Sequence, residues 1–389
     1  VFAVFPDKLG VRMGTMLENL KNGLHYYPGF HKRTRPFGTQ MNFINYPIKD
    51  DDRTSYQEQV KTKLLNLQRD YPSKEGDVYL IILPDNETIY HELKDFAVSR
   101  NLKTQMLQER TLGSLQSGPY TLYCFALSLC VAAGITPWIV DSSYFDGADC
   151  YIGLAFAKQE SRGRSKFFLG VADVFDSFGE HLSFALHDGK VSPKVKGLHV
   201  DRKFMSELVS KAILRYDDKM DAAPETIVIH KPGSFHYDET AGVADALLEW
   251  ESERAFLVHI QHNNLFRAYN PQLDYYPVAT TYFRIGPGNA IVFPTGYLES
   301  SDTDHKMGTP KPVQLNVKEV GATNIIERKI ADNDLHFILQ NYLAFTRLRW
   351  SSLSPRIRDP LTIHAPRVIA EWQGKGIAGL DGIDVRDIM

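Results

Sequence analysis

The run Val78-Tyr79-Leu80-Ile81-Ile82-Leu83-Pro84-Asp85-Asn86-Glu87-Thr88 leads straight into Ile89-Tyr90-His91-Glu92-Leu93-Lys94. An apolar run with no polar alternation marks a strand buried on both faces. Pro84 through Thr88 supply turn and helix-start residues, so the chain leaves the strand and enters a helix that lasts to about Ser99. A doubly buried strand followed at once by a helix is the building unit of a parallel α/β sheet. The flanks agree. Upstream, Val60, Leu64, Leu65 and Leu67 share a helical face that Ser73-Lys74-Glu75-Gly76 terminates. Downstream, a short strand at Gln105–Gln108 precedes a helix over 119–133, and Thr136–Val140 reads as the next strand. Residues 51–145 therefore read as a small Rossmann-like domain. Residues 1–50 read as an irregular or short-strand segment leading into it, with a basic knot at His31-Lys32-Arg33-Thr34-Arg35.

Between Arg110 and Asp141 there is no charged residue at all, which raises the question of a membrane span. Ser117-Gly118-Pro119 opens the helix late and Gly134 with Pro137 closes it, leaving a segment too short to cross, without Lys/Arg asymmetry at its ends. It reads as a buried core helix.

Beyond residue 146 the rhythm changes. Tyr151–Ala157, Lys166–Phe175 and Leu182–Leu186 read as three consecutive strands, followed by a helix from about Asp201 with Phe204, Leu208, Val209, Ile213 and Leu214 at helical spacing. Thr226–His230 is a buried strand and Asp238–Arg254 an amphipathic helix. Strands follow near Phe256–Gln261, Thr281–Ile285 and Ala290–Val292, then a helix at Asp334–Arg347. Three strands, helix, strand, helix, strand is a ribonuclease-H-like order, so residues 146–389 form the second domain of an α/β protein.

A chain of 389 residues suits two or three domains. With 43% apolar and 23% charged residues it is a folded, soluble protein rather than a disordered one. The net charge of −3 gives no global attraction for nucleic acid, so any polyanion must meet a local basic patch. Cys124, Cys130 and Cys150 are too few for a disulfide framework or a four-thiolate zinc site, which points to a reducing cytoplasm. The chain begins at Val1 with no leader signature, and the missing initiator Met points to a fragment or processed chain.

No His-Glu-x-x-His pair, phosphate-binding Gly-Lys loop or Gly-x-Ser-x-Gly elbow is present. Asp173, Asp176 and Glu180 offer carboxylates for metal-assisted phosphoryl chemistry, or simply polar positions near a turn. Tyr90 and Lys94 are four apart and share a helix face; the ring suits stacking on a nucleobase and the ammonium a phosphate. Gln105 adds an amide donor. Spacing alone leaves open a half-buried Tyr90 and a solvated Lys94 with no ligand.

Ile89-Tyr90-His91-Glu92-Leu93-Lys94, Thr104-Gln105 and Gly134-Ile135-Thr136-Pro137-Trp138-Ile139 resemble the MID domain of Argonaute proteins. Tyr151-Ile152-Gly153-Leu154 looks like the first strand of the PIWI domain, and Thr226-Ile227-Val228-Ile229-His230-Lys231-Pro232-Gly233 like the strand that ends in Arg-Asp-Gly. Gly308–Pro312, and Arg349-Trp350 through Pro360-Leu361-Thr362-Ile363-His364-Ala365-Pro366-Arg367, resemble the C-terminal PIWI signature. The landmarks occur in order from about residue 50 onward, with nothing like a PAZ domain, so the chain resembles a short prokaryotic Argonaute or the MID–PIWI half of a longer one.

The resemblance implies that Tyr90, Lys94 and Gln105 hold the 5′ phosphate of a guide strand. The pocket lysine usual on the next helix is replaced by Ala132, with Ser128 one turn earlier. A divalent ion such as Mg²⁺, held by the C-terminal carboxylate of Met389, is one compensation; a guide without a 5′ phosphate is another. At the catalytic positions stand Ala155, Pro232 and Pro366, none able to hold Mg²⁺ through its side chain. The resemblance thus implies a non-cleaving, guide-programmed binder: an RNA guide, a DNA target, and a partner bearing an Argonaute-associated domain with sirtuin-like, TIR or nuclease activity. The role implied is defence against plasmids or phage. Candidate channel residues are Arg162, Arg164, Lys166, Lys194, Lys196, Arg347, Arg349, Arg356 and Arg358. The competing expectations are a nuclease using Asp173, Asp176 and Glu180, and a scaffold that no longer binds guide.

Overall fold

The computed structural model describes residues 1–30, 41–49, 55–71, 74, 76–141, 148–160, 166–190, 199–272, 277–296, 310–322, 324–328, 330–350, 357–375, 377, 380, 384 and 386. Its first sheet is parallel and contains Phe2–Pro6 (β1), Ile44–Ile48 (β2), Tyr79–Leu83 (β3) and Thr104–Gln108 (β4) in the order β2-β1-β3-β4. Helices Gly10–Asn22 (α1), Tyr56–Asp70 (α2), Glu87–Val98 (α3), Thr111–Ser117 (α4) and Pro119–Ala132 (α5) accompany it. Residues 1–50 therefore do more than lead in: they supply β1, a central strand of this sheet, together with β2 and α1. Ala3, Phe5, Leu80 and Ile82 pack with α1, α4 and α5, whereas Phe2, Val4, Tyr79 and Ile81 pack with α2 and α3. The central strands are thus buried on both faces, as the apolar run requires. Asn86 caps α3 by accepting the Thr88 N–H at 2.9 Å.

The uncharged helix α5 is a core element of 14 residues, and no helix among the described residues is long and apolar enough to cross a membrane. Thr136–Val140 forms no strand. Its groups pair outward instead: Trp138 Nε1 donates to Arg347 O at 2.7 Å, Trp350 Nε1 donates to Trp138 O at 2.8 Å, and Val140 N donates to Phe178 O at 2.9 Å. The segment fastens the two domains together.

The second sheet has nine strands. Cys150–Glu160 (β5), Lys166–Asp176 (β6) and His181–Lys190 (β7) are antiparallel neighbours, and Thr226–Pro232 (β8) and Arg254–Gln261 (β9) add in parallel beside β5. Thr281–Gly286 (β10), Asn289–Phe293 (β11) and Val313–Gly321 (β12) continue antiparallel in the order β10-β11-β12-β9-β8-β5-β6-β7, with Asn324–Arg328 (β13) on β12. The β7-β6-β5-β8-β9 portion is ribonuclease-H-like. Arg202–Met220 (α6) and Tyr237–Glu249 (α7) cover one face; Asp332–Phe345 (α8) and Leu361–Gly374 (α9) cover the other. Helix α7 stops five residues short of the expected Arg254, because Arg254 already opens β9.

Along β5, Cys150, Ile152 and Leu154 face α6 and α7, while Tyr151 and Ala155 lie on the α8–α9 side with Gly153 between them. A Cβ on Gly153 would lie 1.7 Å from Thr362 O. Pro366, inside α9, has no N–H to return to that same carbonyl, so the strand backbone closes on an acceptor the helix leaves open. The polar ends of β6 and β7 are tied to the C-terminal segment. His181 Nε2 lies 3.0 Å from Asp173 Oδ1 and its Nδ1 3.7 Å from Asp384 Oδ1. Arg386 Nη2 reaches Thr136 Oγ1 and Glu180 Oε1, both at 3.1 Å. Burial alone would push the His181 imidazole down, but the two carboxylates outweigh it and raise its pKa to about 9. Burial pushes Asp173 up to about 6 against the pull of His181. Burial also acts upward on Asp384, yet His181 and Arg386 hold it down at about 2.

Gly153→Ala should lose about 1–3 kcal/mol or more by overpacking against helix backbone, read as a lower urea midpoint with an unchanged slope. A raised His181 pKa adds stability that is complete below pH 6.5 and is lost as pH rises through about 9. Unfolding free energy should therefore fall by something on the order of 3 kcal/mol between neutral and strongly alkaline pH. His181→Gln should start lower at neutral pH and show a flatter profile across that window.

Candidate nucleic-acid site

Strand β4 is an edge: among the described residues it pairs with β3 alone. Thr104 and Met106 point to the α3 side, and Gln105 and Leu107 to the α5 side, by strand alternation. Tyr90 and Lys94 sit one turn apart on α3. Lys94 is not solvated: it is 4% exposed, its Nζ donates to Thr104 Oγ1 at 3.3 Å, and it lies 5.0 Å from the Trp372 ring on α9. Tyr90 is half-buried, which raises its phenol pKa, and its ring meets His91 edge-on at 5.2 Å. The three expected residues thus gather at one strand edge, with Tyr90 and Lys94 on one face and Gln105, next to Thr104, on the other.

Beside them, at the C-terminal ends of β3 and β4, lies a cavity of about 420 Å³. Leu83, Tyr90, His91, Gln108, Thr111 and Lys375 are among its lining residues. This is where parallel α/β sheets place ligands, and the size falls in the range of small-molecule pockets. Lys375 follows α9 and donates to His91 Nε2 at 3.1 Å across 284 residues of sequence. No local signal could have found it. Ala132 and Ser128 are buried on α5, and Ser128 donates to Cys124 O at 3.1 Å, so that helix adds no charge here.

The second constellation sits on the α9 side of the larger sheet. Gly153 of β5 pairs in register with His230 of β8, which puts Ala155 and Pro232, each two residues further on, at one level. Pro366 comes to this face from α9, six residues into the helix. His230 Nδ1 bonds Thr362 Oγ1 at 2.7 Å, and burial drives its pKa down to about 3, so it is neutral. Lys231, next to Pro232, turns to the other side, where its Nζ contacts Glu239 Oε1 and Oε2 at 2.7 and 2.6 Å.

The alternative carboxylates are otherwise engaged. Asp173 is fully buried beside His181, Asp176 accepts the turn N–H groups of Phe178 and Glu180 at 2.9 and 2.8 Å, and Glu180 pairs with Arg386. Of the channel candidates, Arg347 donates to Pro294 O at 2.8 Å and Arg358 to His262 O at 2.7 Å, while Arg349 is half-buried. Lys166 opens β6, and its side chain is not among those described. Arg162, Arg164, Lys194, Lys196, Arg356, Met389 and the knot at 31–35 lie outside the described residues.

No family model and no curated protein matches the chain. Solved structures do. Aquifex aeolicus Argonaute superposes with a TM-score of 0.60 at 16% identity, over 98% of this chain and 49% of that one. Another structure of it, with externally bound siRNA, gives 0.59 at 15% identity, over 100% and 50%. Clostridium butyricum Argonaute, bound to a guide DNA with a 5′ deoxycytidine and a 19-mer target DNA, gives 0.68 at 16% identity, over 99% and 49%. The chain spans about half the length of these proteins, and its fold, a Rossmann-like sheet joined to a ribonuclease-H-like one, is the MID–PIWI architecture of Argonaute.

Proposed function

We propose that this chain is a guide-programmed nucleic-acid binder that captures a complementary strand without cutting it. The observation that carries the reading is the strand-edge site: a cavity lined by a half-buried tyrosine and by a lysine from the other domain, with a buried lysine one turn behind the tyrosine. The Clostridium butyricum protein, with guide and target bound, has this fold. Here Lys375 would meet the guide's 5′ phosphate, with Lys94 one turn behind Tyr90 adding charge and Tyr90 stacking on the first base, and base pairing would read the target. Gln105, on the opposite face of the sheet and outside the cavity lining, is the expected phosphate ligand with least access to it. Non-cleavage rests on Ala155, Pro232 and Pro366, which offer no side-chain oxygen to a metal ion. An RNA guide, a DNA target, the short prokaryotic subtype, a cytoplasmic antiviral role and an effector partner with an Argonaute-associated domain belong to the same proposal. They are supported by the sequence resemblance.

Mg²⁺ at the 5′ phosphate is the remaining part of the proposal. A divalent ion favours hard anionic oxygens. The described cavity lining offers Gln108 and Thr111 oxygens and the Lys375 cation, and Met389 lies outside the described residues. The described groups favour direct contact between lysine and phosphate.

Tyr90→Ala with Lys94→Gln should weaken binding of a 5′-phosphorylated guide by about tenfold or more, from one lost stack and one lost charged hydrogen bond. A 5′-hydroxyl guide should suffer less, and equal losses for both would remove the phosphate from the reading. Guide affinity in EDTA should stay within about twofold of that in Mg²⁺, given a lysine-held phosphate; a larger loss would restore the metal. Incubation of guide, target and Mg²⁺ or Mn²⁺ should leave the target intact on a denaturing gel. A cut that vanishes in Asp173→Ala would establish the nuclease instead.

A further inference from the structure

A second cavity lies at the opposite end of the small sheet from the strand-edge site. Its volume is about 370 Å³, and its described lining residues differ from those of the first. Tyr79 and Lys103, at the starts of β3 and β4, form part of its wall, whereas the first cavity takes Leu83 and Gln108 from the ends of the same strands. Four steps of strand at about 3.3 Å each separate the two ends, so the cavities lie on the order of 13 Å apart. Lys103 is fixed in place because its carbonyl accepts the Tyr79 N–H at 2.8 Å. The last turn of α5, from Ala132 to Gly134, supplies the floor, and a Cβ on Gly134 would meet no atom within 4 Å. The remaining wall is the C-terminal segment, through Asp384 and Arg386.

The charges bordering this space do not cancel. Among its described residues the cations are Lys74, Lys103 and Arg386, and the carboxylates are Asp77 and Asp384. Both carboxylates are engaged. Asp77 Oδ2 accepts the Lys74 N–H at 2.9 Å, and Asp384 lies 3.7 Å from His181 Nδ1 and 3.6 Å from Arg386 Nη1. Arg386 Nη2 donates to Thr136 Oγ1 and Glu180 Oε1, both at 3.1 Å, which holds the guanidinium still. Its Nε is buried with no hydrogen-bond partner among the described residues. Two ammonium groups and a positioned guanidinium therefore border a space at the lower end of the range for small-molecule pockets. A phosphate monoester carries close to two negative charges at neutral pH, and charged N–H donors of this kind bind it best. The C-terminal end of α5 bears the negative end of a helix dipole, so a bound anion keeps to the lysine and arginine side. The floor is left for an uncharged part with N–H or O–H donors, which favours an ester over the bare ion.

We infer that this cavity binds a small phosphate ester of about the size of a nucleoside monophosphate, with Lys103 and Arg386 holding the phosphate and Lys74 at the rim. The inference goes beyond the guide-programmed reading and does not rest on it. Arg386 belongs to the segment tied to His181, Glu180 and Thr136, so a ligand here links the foot of the small sheet to that segment. Docking of the two domains then strengthens as the ligand's concentration rises.

The test is calorimetric titration of the full chain, free of guide, with AMP, adenosine and inorganic phosphate. AMP should bind at a single site, and adenosine should bind weaker by about tenfold or more, for want of the charged contacts. Lys103→Gln and Arg386→Gln should each weaken AMP by about tenfold. Because Arg386 also anchors its own segment, Lys103→Gln is the deciding variant, and its affinity for a 5′-phosphorylated guide should stay within about twofold of wild type. AMP should also slow hydrogen exchange in the C-terminal segment of the wild type. Failure of the wild type to bind AMP or phosphate at millimolar concentration would overturn the inference, as would an unchanged AMP affinity in Lys103→Gln. Inorganic phosphate binding as tightly as AMP would overturn the ester in favour of the bare ion. Displacement of AMP by one equivalent of 5′-phosphorylated guide would give the phosphate to the guide and remove the separate site. Loss of guide-dependent capture with AMP still bound would sink the guide-programmed reading alone.

Discussion

The close approach of β5 to α9 is the constraint on which the rest depends. Gly153 has no side chain, so its backbone can lie against Thr362 O, an acceptor that Pro366 leaves unbonded within the helix. A larger residue at 153 or a displaced α9 would move everything that α9 carries. That includes Pro366 and Arg367 near its start, Trp372 over Lys94, and Lys375, just past its end, at the cavity mouth. One glycine thus fixes how closely α9, which contributes to both candidate sites, can approach the sheet.

The domains are joined by polar contacts as well as apolar ones. The reciprocal indole bonds of Trp138 and Trp350, and the reach of Arg386 to Thr136 and Glu180, pair groups that an irregular segment would otherwise leave exposed or unsatisfied. Buried polar groups of this kind contribute modest net stability when paired and are costly when orphaned, so they specify one docking geometry. That matters for the strand-edge site, whose cavity has walls from α3 and β4 on one side and Lys375 on the other.

What the sequence disclosed follows from the range of the interactions involved. Val78–Leu83 and the helix after it were legible because burial on both faces and a capped helix start are local patterns. The three strands from β5 to β7 were legible for the same reason. Phe2–Pro6 was not, because five apolar residues at a chain end look the same whether they lie in the middle of a sheet or outside it, and only pairing with β2 and β3 decides. Thr136–Val140 misled in the opposite sense: Val140 and Trp138 pack into the core of the larger domain without any strand neighbour, while Ile139 is exposed. Lys94 was assigned a site by resemblance, yet its burial under Trp372 comes from a residue far along the chain. The place of Lys375 at the cavity is likewise a property of the assembled fold.

The two lysines concentrate positive charge in a chain whose net charge is −3. A uniformly basic surface would attract nucleic acid of any kind, with little selection. Here a buried Lys94 and an exposed Lys375 stand near one strand edge, and only the buried one is shielded from screening by salt. An anion that engages only one of them gains little orientation. A strand held at its end in this way has its bases left free. In the guide-programmed reading that is the requirement on the protein: it must orient a duplex by its end and leave the bases to each other.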